Sequence, residues 1–519
     1  MCGRDGADPS ARAVTPPGVV ATPPVNPARR PVMTDDLLDP RALDDLRSRL
    51  DGRVVTPVDP DYEDVRAIFN AMMTARPRVI ARCANPTDIA TAVSFARREG
   101  LEVAVRGGGH SVAGASLTDG GLVVDLRPMD QVSVDPVRRT ATAQGGATWA
   151  DFDRATEPHG LAATGGRVST TGVAGLTLGG GSGWLERRFG LACDNLLSVE
   201  LMTADGRLVA ANEDTHPDLF WALHGGGGNF GVATSLTFAL HPLPEFSIAL
   251  LLWPGRDGPA VARVYRDLLT DAPDEVGGGL IYLTAQPDDF VPDELVGTLC
   301  CAVLVTYTGP ESALREFVTP LLDAEPHGRV VGEVPYSELQ RMLDDPPGMR
   351  NYWSDENLRD LPDAALDRFH ARAPEMPVPS ASQQILFPWG GAVARGREWP
   401  GFDRKAAWAV HPFGVWSDPA DDERARTWAR SLCADMRPFS TGDVYLNFIG
   451  DEGADRIVAG YGVDNYRRLA AVKAEFDPDD VFHRWHDIVP LAHATPPASS
   501  GPTTPTPSAE RPTASGETS

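Results

Sequence analysis

The sequence predicts an α+β protein of two or three lobes, and three observations lead to that expectation. Its 519 residues exceed what one core usually organises, at about 100–200 residues per domain. An apolar share of 42% and a charged share of 23% match an ordinary folded chain, not a fibrous or disordered one. The first half mixes β-branched runs, amphipathic helices and three glycine clusters, whereas residues from about 245 to 440 alternate strands and helices with few such clusters.

Residues 1–35 and 493–519 read as disordered tails of Pro, Ala, Gly, Ser and Thr, with Met33 a second candidate start. Inside them, RPRVIARCANPTDIATAVSFARREGLEVAVRGGGHS reads as strand, helix opened by Asn85 or Thr87, and strand running into glycines, a βαβ unit. Ile89, Ala92, Val93, Phe95 and Ala96 recur at helical spacing. The next block carries short β-branched runs and a helix entered at Thr148. From Gly165 to Phe238 glycine is unusually dense in an apolar context, which implies close backbone approach to a ligand. IALLLWPG, LCCAVLVTYTG and AAWAVHPFGVW are strands of a second domain. The terminal VYLNF reads as a strand, followed by a loop and a basic helix from about Asp464 to Phe476.

The 47 Lys plus Arg oppose 72 Asp plus Glu, a formal net charge of −25. That sign repels phosphate backbones and anionic bilayers, which excludes nucleic acid as the expected partner. The sequence has no run of about 18 apolar residues and no basic N-terminal segment leading into an apolar core. Neither membrane association nor a secretory signal is therefore expected, and the cytoplasm is the default location. Six cysteines lack CxxC spacing and nearby paired histidines, so no metal site or disulfide framework is expected. Cys300 and Cys301 in LCCAVLV would point to opposite faces of a strand as small buried hydrophobes.

The loop Arg106-Gly107-Gly108-Gly109-His110-Ser111 follows a strand, so consecutive backbone N–H groups can converge on an anion such as a pyrophosphate. Glycines recur in GLTLGGGSG and HGGGGNFG, which suggests one extended cofactor. Gly226 to Gly231 satisfies GxGxxG, but β-branched VATSLTF follows where a dinucleotide fingerprint requires a helix.

RGGGHSVAG, GLTLGGGSGWLERRFGLACDNL, LFWALHGGGGNFGV and the terminal YLNF…YG…NYRRLAAVKAEFDPDDVF, in that order over residues 75–490, resemble the berberine bridge enzyme-like flavoproteins of the vanillyl-alcohol oxidase superfamily. The resemblance implies a PCMH-type FAD-binding domain of two α/β subdomains over 36–243. A substrate-binding domain over 244–440, an antiparallel sheet covered by helices, and a segment over 441–492 that returns to the FAD domain complete the implied architecture. The implied activity is FAD-dependent oxidation of a small organic molecule, an alcohol, sugar or secondary-metabolite intermediate. The resemblance implies molecular oxygen as the acceptor and hydrogen peroxide as the product. The same fold could instead serve a dehydrogenase with another acceptor, Thr171 being placed to gate oxygen, or a non-catalytic flavin carrier.

In that family the histidine of RGGGHS is bonded to the flavin 8α-methyl carbon, a role that carries over to His110. Many relatives add a second bond from a cysteine ahead of the GGG cluster; Val168 stands there, so a single bond is implied and Cys193 is packing. Arg106, Gly107, Gly108, Gly109, Ser111, Gly172, Gly175, Gly179, Gly180, Gly181, Gly183, Asn195, Gly228, Asn229, Val232 and Asn447 are implied to line the FAD. Asp194 and Asn195 could equally hold their own turn through side chain-to-backbone bonds. Tyr445 matches a tyrosine that acts as base or hydrogen-bonding group in some relatives, and His411 falls near a polar residue facing the flavin in others. An aromatic at a strand start also packs a core, and a histidine beside Pro412 can be structural. Trp353, Trp408 and Tyr352 are candidate walls of a substrate pocket, with core packing as the competing reading for each.

Overall fold

The computed structural model describes residues 38–491 except 343 and 345; both tails read from composition lie outside these residues. Three main sheets organise the described chain. The first contains β1 (Arg53–Val55), β2 (Val79–Arg82), β3 (Val103–Arg106) and β4 (Leu122–Asp125). Its order is β1-β2-β4-β3, with β4 parallel to both β2 and β3. The expected strand–helix–strand unit is present, but β4 lies between its two strands. Helix α1 (Pro86–Glu99) begins where the Asn85 side chain accepts from Asp88 N and ends at Gly100, whose φ is 67°. Such a cap is worth about 1 kcal/mol. Its buried Ile89, Val93 and Phe95 join a core with Val79, Val103 and Leu122, at about 1.5–3 kcal/mol for each large side chain removed from water.

The second sheet is β5 (Val132–Asp135), β6 (Thr140–Gln144), β7 (Leu196–Met202), β8 (Leu208–Ala211) and β9 (Val232–Ala239), in the order β5-β6-β9-β7-β8. Helix α2 (Trp149–Thr156) opens at Thr148 with a reciprocal capping box to Asp151, and α3 (Val173–Leu178) follows. The segment after HGGGGNFG is indeed strand β9 rather than a helix.

The third sheet is antiparallel: β10 (Ser247–Pro254), β11 (Val276–Thr284), β12 (Leu299–Tyr307), β13 (Gly328–Glu333), β14 (Arg350–Trp353), β15 (Glu356–Leu358), β16 (Gln383–Pro388) and β17 (Trp408–Trp416). Its order is β13-β10-β12-β11-β16-β17-β14, with β15 also on β17. Side chains alternate across it. Leu280, Tyr282, Leu386, Val410, Cys301 and Val303 pack against the helices Gly258–Thr270, Asp363–Arg372 and Asp422–Met436. Ile281, Leu304, Ile385 and Phe387 occupy the opposite face with Trp184 and Tyr445. Cys300 and Cys301 face opposite ways, each buried in a different core.

Two elements depart from the sequence reading. VYLNF is not a strand: Leu446–Phe448 forms a single 3-10 turn. Tyr445 N finds the buried Asp355 carboxylate at 2.8 Å instead of a ladder partner. The expected loop before the basic helix contains a helix, Ala454–Tyr461, bounded by glycines with φ of 89° and 73°. The basic helix follows over Val463–Phe476.

Candidate active site

A cavity of about 290 Å³ runs between the glycine loops of the first two sheets and the face of the third that carries Ile281, Ile385 and Phe387. Gly107, Gly108, Gly109, His110, Ser111, Gly172, Gly175, Gly228, Asn447 and His411 all line it. None of the backbone N–H groups from Gly107 to Ser111 has a protein acceptor among the described residues. Successive unsatisfied donors at a strand end form an anion site. A Cβ on Gly175 or Gly228 would meet nothing within 4 Å, so both leave room toward the cavity. The donors and this bare cradle fit the pyrophosphate and ring system of an FAD.

His110 stacks on Phe69 at 4.2 Å, and its Nε2 shares a 2.8 Å hydrogen bond with Thr170 Oγ1. Its Nδ1 has no protein partner among the described residues. Burial lowers its pKa to about 4, which keeps the ring neutral. Val168 and Thr171 also line the cavity.

Other expected residues lie outside the cavity, each for a packing reason. Arg106 is buried and donates to the carbonyls of Val65 and Ala67; burial, then the Arg127 charge, lower its pKa to about 10. A Cβ on Gly179 would strike Asn447, on Gly181 Ala192, and on Gly183 the Gly165 carbonyl at 1.7 Å. Gly180, with φ 112°, lies against the Tyr445 ring. These glycines serve close approach of protein to protein, so glycine density overstated the ligand surface. Asn195 donates to the carbonyls of Phe189 and Leu191 and bonds to His241, while Asp194 accepts from Leu191 N and pairs with Arg404. Asn229 holds the Trp485 carbonyl and Ile488 N. Val232 pairs with Met202 in β9.

The two candidate bases differ in setting. Tyr445 is 1% exposed and lies outside the cavity lining. Its hydroxyl oxygen accepts from Gly181 N at 2.7 Å, Ser182 N at 2.9 Å and Asn447 Nδ2 at 2.8 Å. Burial raises its pKa, outweighing those three donors. His411 lines the cavity, stacked on Phe448 at 4.0 Å and edge-on to Trp353 and Phe413. Its Nδ1 is 2.9 Å from the Ser354 carbonyl. A carbonyl only accepts, so Nδ1 carries the proton and Nε2 presents a lone pair. Burial lowers its pKa to about 3.

Pro412 explains how this arrangement survives inside a sheet, where proline is disfavoured. β14 pairs with residues 413–416 of β17 and β15 with 408–410, so the turn Ser354–Asp355 falls opposite His411 and Pro412. Ser354 N donates to Pro412 O, so the missing proline N–H faces this gap and forfeits no ladder bond. The same gap supplies the carbonyl that fixes His411.

Several lining residues were not singled out from sequence. Gln383, Ile385 and Phe387 on β16, Phe413 on β17 and Ile281 on β11 share the face of His411; the two-residue alternation of QQILFP carried that signal. Arg167 lies over Phe387 at 3.8 Å and Trp184 at 5.0 Å, paired with Glu186 at 2.6 Å; no sequence motif marked it. Trp353 lines the cavity, whereas Trp408 packs in the core behind the sheet and Tyr352 against Trp416 and Trp428.

Comparison with known proteins gives this cavity its class. A family model described as an FAD binding domain matches residues 77–212, and one described as berberine and berberine like matches 444–488. The chain is 31% identical over 462 residues to an uncharacterised FAD-linked oxidoreductase of Bacillus subtilis, covering 86% of this chain and 98% of that one. It is 30% identical over 467 residues to the (R)-6-hydroxynicotine oxidase of Paenarthrobacter nicotinovorans, covering 85% and 97%. The crystal structure of 6-hydroxy-D-nicotine oxidase from Arthrobacter nicotinovorans superposes with a TM-score of 0.74 at 27% identity, over 85% of this chain and 98% of that one. The chain belongs to the berberine bridge enzyme-like FAD-linked oxidoreductases. It is an enzyme with FAD as its cofactor, and no described helix is long and apolar enough to cross a membrane.

Proposed function

We infer that this oxidoreductase carries its FAD on one covalent bond, through His110, and oxidises a small organic substrate with molecular oxygen as acceptor. The observation that supports this most is the setting of His110. Its ring borders the cavity at the end of five free N–H donors, with Nε2 engaged by Thr170 and Nδ1 open to alkylation. Val168 occupies the position from which many relatives make a second bond. FAD, when bound, supplies two-electron oxidation of a substrate C–H, with hydrogen peroxide as the final product.

The residues of the chain supply orientation and proton transfer. Gly107 to Ser111 would hold the pyrophosphate, while Gly175 and Gly228 would make room for the flavin nucleotide. His411 Nε2 accepts the proton of a substrate hydroxyl, because its lone pair is the base that the cavity lining offers opposite the glycine loops. Tyr445 acts through position: its hydroxyl fastens the turn at Gly181 and Ser182 and holds Asn447 at the cavity edge.

Acid precipitation tests the linkage. Yellow colour should stay with the wild-type polypeptide and wash away from His110→Ala; free FAD in the wild-type supernatant overturns the covalent assignment. Mixing the reduced enzyme with air tests the acceptor, since slow reoxidation makes the protein a dehydrogenase.

A further inference from the structure

We propose that a second cavity, where α2 meets the helix Tyr336–Met342 and the edge strand β13 of the third sheet, binds an aliphatic diammonium ion. This cavity measures about 370 Å³ and shares no lining residue with the flavin cavity. Four carboxylates line it, Asp153, Glu157, Glu245 and Glu333, and no Lys, Arg or His does. None of the four forms an ion pair among the described residues. Glu157 Oε2 accepts from Ser337 Oγ at 2.7 Å, which ties the end of α2 to the facing helix and fixes the two walls.

Glu157, Glu245 and Glu333 are exposed, and by themselves they would be an ordinary solvated acidic surface. Asp153 changes that reading. It is 3% exposed, and neither of its carboxylate oxygens has a hydrogen-bond partner. Buried polar groups are ordinarily bonded, so an orphan carboxylate in a cavity wall calls for a donor from outside the chain. Burial, then the Glu157 charge, push its pKa well above the carboxylate range, and the Arg341 charge that opposes them acts from an exposed position outside the lining. An ammonium would supply the missing N–H donors and the counter-charge together.

The distribution of the acids selects the ligand. Among the described residues no three His, Cys, Asp or Glu side chains come together as ligands for a metal ion, so the positive charge has to be spread. One acid is buried and three are exposed, which suits a molecule with a cation at each end. Between them Leu161, Leu243 and the edge-on rings of Phe246 and Tyr336, 5.4 Å apart at 81°, line the cavity. Apolar side chains cover a hydrocarbon spacer, and aromatic faces attract an ammonium.

Titration calorimetry of the flavin-bearing protein, at low salt under nitrogen, tests the site with 1,5-diaminopentane, 1,5-pentanediol and calcium chloride as probes. The diamine should bind at least about tenfold more tightly than the diol or calcium, without moving the flavin absorbance spectrum. Asp153→Asn keeps the shape and removes the charge, and should weaken the diamine at least about tenfold with flavin content unchanged. Glu245→Gln, at the exposed rim, should weaken it about twofold to fivefold. A diamine that binds no better than the diol or calcium, that binds either variant as tightly as the parent, or that shifts the flavin spectrum overturns the proposal. The flavoenzyme reading stands apart from each of these outcomes.

Discussion

Glycines in this enzyme do two different jobs, and a matched set of alanine substitutions separates them. A Cβ on Gly108 would lie 2.4 Å from Gly172 N and 2.7 Å from Gly172 Cα, both backbone atoms, against 3.4 Å for ordinary contact. The two loops would have to part by about 1 Å, and overpacking of that kind costs about 1–3 kcal/mol. Gly108→Ala should therefore lower thermal stability by that amount whether or not flavin is bound. Gly175 and Gly228 have nothing within 4 Å of the added carbon and no left-handed φ. Gly175 lies within α3 (Val173–Leu178), where alanine gains about 0.5–1 kcal/mol over glycine. Gly175→Ala and Gly228→Ala should leave the flavin-free protein as stable as the parent, or slightly more so, and cut bound flavin several-fold. The assay pairs flavin absorbance per chain with thermal melts of protein prepared with and without flavin. Full flavin content in both Gly175→Ala and Gly228→Ala, or a Gly108→Ala protein as stable as the parent, would refute the division.

Four further predictions concern His411, the tyrosine and the titration of buried histidines. His411 is held neutral by burial, with a pKa lowered to about 3, so kcat/KM should show no acidic limb near pH 6.5 and stay level toward pH 4; a limb near 6.5 that vanishes in His411→Gln refutes the buried base. His411→Gln itself should lower kcat about 100-fold, the scale of lost general-base catalysis. Tyr445→Phe leaves the buried N–H groups of Gly181 and Ser182 without their acceptor, costing about 1–3 kcal/mol in urea denaturation; an altered pH profile with unchanged stability would instead make the tyrosine the base. Burial lowers the pKa values of His224 and His486 to about 4 and of His411 to about 3. The unfolded chain binds these protons below pH 6.5 and the folded one does not, so these histidines should lower stability between pH 6.5 and 4, each by about 1.4 kcal/mol per pH unit. Buried Asp153 and Asp355, whose pKa values burial raises, act in the opposite direction, so the histidine part is read by difference: a His224→Gln protein whose urea midpoint changes from pH 7 to pH 5 just as the parent's does would contradict this.

Local patterning made much of the fold legible. Asn85 and Thr148 announced helix starts because a side-chain cap is a contact within three residues. The β-branched run VATSLTF excluded a dinucleotide fingerprint for the same local reason. VYLNF misled, because β propensity yields to a single tertiary bond: Asp355 takes Tyr445 N and the Tyr445 hydroxyl reaches the glycine turn. The helix Ala454–Tyr461 escaped notice between two glycines that read as loop.

The sequence by itself determined the family, the α+β class and the position of His110 at a strand end, since motifs and caps are written in consecutive residues. Tertiary structure decided which glycines open onto the cavity and which merely let backbones touch. It also decided that His411 rather than Tyr445 borders the cavity. Sheet register sets that face: residues 383, 385 and 387 of one strand and 411 and 413 of its neighbour point the same way. Arg167 joins them from a distant loop. Arg167 lies more than 200 residues from the others in sequence, and only the packed sheet makes them one surface.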